Sequence, residues 1–271
     1  MMLKNKSALV TGGSRGIGLA IAQAFAKEGG KVILVARSES ELLVAQELVK
    51  VASIMPLDVG DIAAVKKAAM SFQQLDILVN AAGAITPIGP IESVDPEAWL
   101  QLLRINVFGT FLMTQACIPH LQKGGTIINF VGGGEGAFPN FSAYASSKGA
   151  VARFTETVAA ELKAKDITVN AIAPGAVNTK MTQDMIAAGQ EAGAQYERAL
   201  KQQEDEHATP EKAVHLALWL ASPAARDITG KVLSAQWDNY ERFQEHVADI
   251  KGSDIYTMRR VRPKDRGFTW E

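Results

Sequence analysis

The chain is expected to be an α/β protein, a single doubly wound parallel sheet with helices on both faces. Three observations predict this. Short apolar runs alternate along the chain with longer segments of helical spacing. The runs are continuously apolar, which means both faces of each strand are covered, as in a parallel sheet. A glycine-rich turn, Thr11-Gly12-Gly13-Ser14-Arg15-Gly16-Ile17-Gly18, joins the first run to the first helical segment.

The elements follow in order. Ser7-Ala8-Leu9-Val10 is a strand that ends in the glycine turn, and the helical run from Ile17 to Glu28 is stopped by Gly29-Gly30. Lys31 to Ala36 is a second buried strand, Glu39 to Lys50 a helix, Ser53 to Pro56 a short strand, Ile62 to Phe72 a helix, and Ile77 to Asn80 a fourth strand. A long helix is expected from about Glu97 to Leu121, then a strand at Thr126 to Phe130, a helix over 142–165, a strand at Thr168 to Ile172 and a last strand near Lys231 to Ser234. Between Met181 and Glu206 the helical pattern is interrupted and rich in Gln, Glu, Ala and Gly. Lying beyond a strand's carboxyl end, where open α/β sheets place ligands, it reads as a mobile lid; the plainer alternative is a surface helical hairpin.

At 271 residues one large domain is expected. Lys plus Arg number 28 against 29 Asp plus Glu, and a net charge of -1 gives no general drive toward nucleic acid or acidic membrane. Cys117 is the single cysteine, so no internal disulfide forms, and its surroundings read as a packed helix face in a reducing compartment. The four histidines match no metal-ligand spacing, and no metal is expected. No stretch of about 18 apolar residues exists to span a bilayer, and the N-terminus lacks signal-peptide design, so the cytoplasm is the expected location.

Two constellations carry chemistry. Tyr144 and Lys148 stand four apart, so a helix puts phenol and ammonium on one face, where the cation favours phenolate and lowers the tyrosine pKa. In the glycine turn, Gly12 permits the tight bend, while Gly16 and Gly18 let backbone and helix approach a pyrophosphate. An acid at the end of the second strand would hold the adenosine ribose 2′-hydroxyl, but Ala36 and Arg37 stand there. With no carboxylate to repel a 2′-phosphate, and Arg37 and Arg15 able to pair with one, NADP(H) is favoured over NAD(H).

These residues resemble the classical short-chain dehydrogenases/reductases, over about residues 5–235. The opening turn is similar to that family's Thr-Gly-x-x-x-Gly-x-Gly, Asp58-Val59 to its adenine-contacting pair, and Asn80-Ala81-Ala82-Gly83 to its Asn-Asn-Ala-Gly strand end with one substitution. Asn106, the Tyr144 and Lys148 pair, and Pro174-Gly175 with Thr179 match further family positions. The resemblance implies a Rossmann-type domain over 1–235; within it 181–206 is read from its own pattern as substrate lid, and 236–271, beyond the family's pattern, as a C-terminal extension packing on the same or a neighbouring subunit. It implies that Tyr144 exchanges a proton with the substrate oxygen while Lys148 lowers its pKa and bonds the nicotinamide ribose. Asn106 would hold a water in the proton path, and Thr179 would bond the carboxamide. Ser14, Arg15, Ile17, Ala81, Gly83 and Val177 complete the implied cofactor-binding set. Homo-oligomerisation, as a tetramer or dimer through the helices at 97–121 and 142–165, is implied too.

The pattern breaks in two places. The family's catalytic serine usually lies 13 residues before the tyrosine, and that count lands on Val131, which cannot donate a hydrogen bond. Ser142 is the nearest other hydroxyl but is placed to cap its helix, and backbone N–H groups of Gly132-Gly133-Gly134 are another substitute. A one-residue slip would place Gly132 at the site, again without a hydroxyl. Beyond Ser234 the chain runs on into a tail where Arg259, Arg260, Arg262, Lys264 and Arg266 cluster. These either clamp an anionic substrate or belong to a subunit-packing arm.

The leading functional expectation is an NADP(H)-dependent oxidoreductase acting on a small ketone or secondary alcohol, one that is anionic or polyhydroxylated. The alternatives are a low-turnover dinucleotide-binding regulator or structural protein that lost its serine, and an epimerase or dehydratase using transient hydride transfer.

Overall fold

Seven apolar segments form one parallel sheet: β1 (Ser7–Thr11), β2 (Lys31–Ala36), β3 (Ser53–Pro56), β4 (Leu75–Asn80), β5 (Leu121–Phe130), β6 (Thr168–Ala173) and β7 (Val232–Ser234). Their order is β3-β2-β1-β4-β5-β6-β7. The computed structural model describes residues 1–50, 52–132 and 136–270. Successive side chains of a strand point to opposite faces, and here both sides are core. Ala8 and Val10 pack with Ile21 and Phe25 of α1 (Gly16–Lys27) and with Leu216 and Leu220 of α9 (Glu211–Leu220). Leu9 faces the other way, into a cluster containing Val65 of α3 (Ile62–Ala69), Met113 and Cys117 of α5 (Gly109–Cys117), and Val158 of α6 (Ser142–Leu162). The doubly wound reading therefore holds, and β1 pairs with β2 on one side and β4 on the other. Strand order reverses there, which opens a crevice beyond the carboxyl ends of β1 and β4.

Several boundaries differ from the expectation. The long helix is two, α4 (Pro96–Leu103) and α5, joined by a π-helical turn over Arg104–Phe108 in which the Gly109 N–H reaches back to the Arg104 carbonyl. Thr110 Oγ1 donates to the Asn106 carbonyl within this turn. The helix stops at Cys117 because β5 already begins at Leu121, paired with Leu75 ahead of a register shift. α6 ends at Leu162, with Lys163–Lys165 continuing as a 3₁₀ turn, and α3 ends at Ala69. The sequence reading missed α9 altogether, although Ala213, Leu216, Ala217 and Leu220 carry the spacing of a buried helix face. α2 spans Glu39–Val49 and α10 Val247–Lys251. The segment read as a lid folds as α7 (Lys180–Ala187) and α8 (Ala194–Glu204), joined by a short 3₁₀ turn.

The extension beyond β7 packs on its own subunit. Phe243 and Ile250 are buried in the α1 and α9 side of the core. Trp219 of α9 lies 5.4 Å from the Tyr240 ring and 5.8 Å from Phe243, which stacks on Tyr256 at 5.1 Å. The Tyr256 carbonyl accepts from Val232 N–H, and Lys231 Nζ donates to the carbonyls of Ser253 and Ile255. The extension thus covers the outer edge of β7, a row of main-chain groups that otherwise invites another strand. Because Phe243 is a full core residue, Phe243→Ala is expected to cost about 3–5 kcal/mol. The check is urea unfolding: one shifted transition is expected, against an independently melting tail.

Candidate functional site

The glycine turn brings the first helix to the crevice. A Cβ on Gly18 would lie 2.3 Å from the Gly12 carbonyl oxygen, and one on Gly12 would lie 2.8 Å from the Ala81 carbonyl oxygen, so neither position admits a side chain. No side chain caps the N-terminus of α1, whose N-cap is Arg15, and no acid occupies its first turn. The first N–H groups of α1 therefore face the crevice without a side-chain acceptor, a donor set suited to a phosphate. The cavity there has a volume of about 360 Å³. It runs from Arg37 and Ser38, past Asp58 and Val59, to Gly83, Thr179 and Met181, and Ser14, Arg15, Gly16, Ile17 and Ala81 line it between. A cavity lined at its middle by phosphate donors suits a dinucleotide.

At the Arg37 end the structure corrects the sequence reading that no carboxylate is present. Glu41 lines the cavity, accepting from Arg15 Nη1 at 2.9 Å and from Ser14 Oγ at 2.9 Å. The signal was the spacing of Ser38 and Glu41: Ser38 caps α2 and accepts from Glu41 N–H, so Glu41 is fixed in the first turn, facing back to the glycine turn. Arg37 makes no ion pair among the described residues.

At the other end lie the residues beyond β4. Asn80 Nδ2 donates to Asn129 Oδ1 and Thr114 Oγ1, tying β4 to β5 and α5. Asn106 clamps the following loop, with Oδ1 accepting from Ala84 N–H at 2.8 Å and Nδ2 donating to the Ala84 carbonyl and to Ser147 Oγ. A Cβ on Gly83 would stand 3.4 Å from Asn106 Oδ1, 3.4 Å from Met181 Cε and 3.8 Å from Lys148 Nζ, so these groups converge on one point. Thr179 caps α7 and accepts from Met181 N–H; its Cγ2 lies 3.5 Å from where a Gly16 Cβ would be, closing the cavity over the glycine turn. Gly175, at φ +78°, leaves room for Gln236, which donates to the Pro174 carbonyl, and the buried Val177 accepts from Thr182 through its carbonyl.

Tyr144 and Lys148 share one face of α6, as their spacing requires. Lys148 Nζ sits 5.6 Å from the centre of the Tyr144 ring and donates to the Phe130 carbonyl at 3.0 Å. Burial dominates both groups: it pushes the phenol up to about 12 and the ammonium down to about 8. The expected lowering of the tyrosine pKa is therefore not present in this arrangement, because the cost of burying phenolate outweighs the attraction of an ammonium turned toward a carbonyl.

The residue facing the phenol is Gly132 and not Val131. A Cβ on Gly132 would lie 2.9 Å from the Tyr144 hydroxyl oxygen. Val131 points away, packed with Val151, Ala152 and Ala171, and its N–H extends the sheet to the Ile172 carbonyl. The connection to Tyr144 is one residue shorter than the counted spacing, and in an extended chain a shift of one reverses the side chain's direction. Ser142 is not the cap either: it opens α6, whose N-cap is Phe141, and accepts from Trp99 Nε1 at 3.2 Å. Gly133 and Gly134 lie outside the described residues.

Around Tyr144 the walls are apolar. Phe138, Phe141 and Ile85 pack with Met181, Met185 and Tyr196, the last three from the segment read as a lid. The basic tail lies elsewhere. Met258 main-chain groups bond Arg153 and Glu156, about 14–18 Å along α6 from Tyr144 at 1.5 Å per residue. Arg259 pairs with Asp254 and Asp265. Cys117 is buried, and its thiol is pushed up to about 12. Among the described residues no group of His, Cys, Asp and Glu is placed to hold a metal, and no helix is long and apolar enough to cross a membrane.

A family model described as short chain dehydrogenase matches residues 6–189. The 2-(S)-hydroxypropyl-CoM dehydrogenase 3 of Xanthobacter autotrophicus is 34% identical over 241 residues, covering 84% of this chain and 94% of its own. The 3beta-hydroxysteroid dehydrogenase 1 of Eggerthella lenta is 36% identical over 244 residues, with 85% and 92% covered. Among solved structures, NAD+-bound xylitol dehydrogenase is similar with a TM-score of 0.78 at 28% identity, covering 86% of this chain and 98% of its own.

Two outcomes follow from this geometry. Val131→Ser places a hydroxyl among apolar side chains and is expected to cost about 1–3 kcal/mol without raising turnover; melting curves and steady-state rates check it. Lys148→Met removes a buried ammonium. Between about pH 8 and 10.5 the unfolded chain binds a proton that folded Lys148 releases, so the parent gains stability as pH rises through that window. The variant is therefore expected to be more stable at pH 7 by about 1–2 kcal/mol, after allowing for the Phe130 carbonyl left without a donor, with the gap closing by pH 10. Thermal melts across that range measure it.

Proposed function

The chain belongs to the short-chain dehydrogenase/reductase family, and from that premise we propose that it is an NADP(H)-dependent oxidoreductase that interconverts a ketone and a secondary alcohol, with Tyr144 exchanging the proton. One observation carries the reading: Lys148, which shares its helix face with Tyr144, reaches to within 3.8 Å of where a Gly83 Cβ would stand, and Gly83 lines the same cavity as Arg37. The nicotinamide, when bound, supplies or accepts the hydride. Residues of the glycine turn hold the pyrophosphate against the N-terminus of α1, Asp58 and Val59 border the adenine, and Arg37 receives the 2′-phosphate. Asn80 and Ala81 position the strand end, while Pro174, Gly175, Val177 and Thr179 form the wall at the nicotinamide.

Tyr144 gives its proton to the carbonyl oxygen in reduction and takes it back in oxidation. Lys148 would hold the nicotinamide ribose, and its charge would there favour the phenolate. Asn106 acts by holding the loop at Ala84 and the start of α6 in register, and by carrying a water on its remaining acceptor capacity. Gly132 supplies no hydroxyl to the substrate oxygen, and loss of such a donor typically lowers the rate on the order of 10²- to 10³-fold. The protein works in the cytoplasm on a small molecule, as a tetramer or dimer assembled through α4, α5 and α6. The anionic substrate suggested by the tail arginines finds no support within the subunit, since Met258, just ahead of them, is tied to α6 at Arg153 and Glu156, away from Tyr144, and Arg259 is paired with Asp254 and Asp265. Phe138, Met185 and Tyr196 favour a substrate with an apolar flank.

The second reading, a dinucleotide-binding regulator with little turnover, is favoured by Gly132. NADPH oxidation over a panel of ketones decides between the two. For the enzyme, Tyr144→Phe is expected to lower kcat about 10²- to 10⁴-fold with NADPH binding kept. Tight NADPH binding with no carbonyl consumed by the native chain would make it the regulator. Tighter binding of NADH than NADPH would reverse the cofactor assignment.

A further inference from the structure

Glu41 is joined to the glycine turn across 26 positions of sequence, with one carboxylate oxygen on Arg15 and the other on Ser14. Both partners line the cavity end where Arg37 also stands. The carboxylate belongs to the first turn of α2, where the helix N-terminus favours negative charge. Arg15 and Glu41 are 57% and 43% exposed, so their attraction is screened and the pair can exchange for another anion. The cavity end thus carries two guanidinium groups and one carboxylate. One guanidinium is already neutralised, and Arg37 is without an ion pair among the described residues.

We propose that Glu41 is the residue that sets selectivity between 2′-phosphorylated and 2′-hydroxyl adenosine ligands at this end of the cavity; the proposal rests on reading the cavity as a dinucleotide site. A 2′-phosphate reaches Arg37 directly, but it recruits Arg15 and Ser14 only by displacing the Glu41 carboxylate, which also repels it. An adenosine ligand with a free 2′-hydroxyl leaves the Glu41 contacts in place and is indifferent to that charge. Glu41 therefore lowers affinity for the phosphorylated ligand alone, and brings the two cofactor forms closer than two arginines by themselves would.

The test uses adenosine 2′,5′-bisphosphate and adenosine 5′-monophosphate as probes, titrated calorimetrically into the full chain and its Glu41→Gln and Glu41→Ala variants. Removing one screened like charge at contact distance is expected to tighten the bisphosphate about 5- to 10-fold, with the monophosphate within about twofold. Arg37→Gln is expected to weaken the bisphosphate in both the native and Glu41→Gln backgrounds. If the probes bind the native chain but their affinity ratio is unchanged in both Glu41 variants, Glu41 has no selective role and only this proposal falls. If neither probe nor NADPH nor NADH binds the native chain, the dinucleotide reading falls and takes the proposal with it.

Discussion

The site rests on a contact between backbones. Where β1 turns into α1, the main chain at Gly12 packs against Ala81 beyond β4, and Gly18 packs against Gly12, at separations that leave no room for a methyl group. That contact holds the strand ends together at the point where strand order reverses, and it aims the uncapped N-terminus of α1 into the space between. A larger side chain at either position would push α1 outward. The N–H groups, the floor at Ala81 and Gly83, and the roof at Thr179 would then no longer face one another.

The catalytic end is governed by desolvation. Lys148 and Tyr144 are buried in the same apolar surroundings, and each is driven toward its neutral form. Spacing of four on a helix puts the two side chains on one face, but the ammonium is turned to the Phe130 carbonyl and does not lower the phenol's pKa here. Activation on this view requires a competing acceptor near Gly83, where Asn106, Met181 and Lys148 converge.

Much of this was legible in the sequence because it depends on local pattern. β2 was read to the residue, and the glycine turn, the strand end at Asn80 and the helix carrying Tyr144 and Lys148 all lie where their spacing put them. What escaped depends on direction or on distant partners. Counting back from Tyr144 reached Val131, but only the register of β5 shows that its side chain faces Val151 and Ala171 while Gly132 faces the phenol. Glu41 looked like one more charged residue on a helix, because its partners Ser14 and Arg15 belong to another element. The π turn near Asn106 adds a residue to a helix whose apolar pattern runs on through it, so periodicity alone could not mark the break.

The extension that covers β7 also joins distant parts of the chain in one core. Phe243, Ile250 and Tyr256 share a core with Leu3, Val10 and Phe25. Segments far apart along the chain are therefore neighbours, and the layer between α1 and α9 is completed only by the segment beyond β7. The other edge strand, β3, is only four residues long and ends in Pro56, a poor template for a stray strand. Without this segment β7 would be the vulnerable side of the sheet, and the extension closes the fold the way a clasp closes a strap.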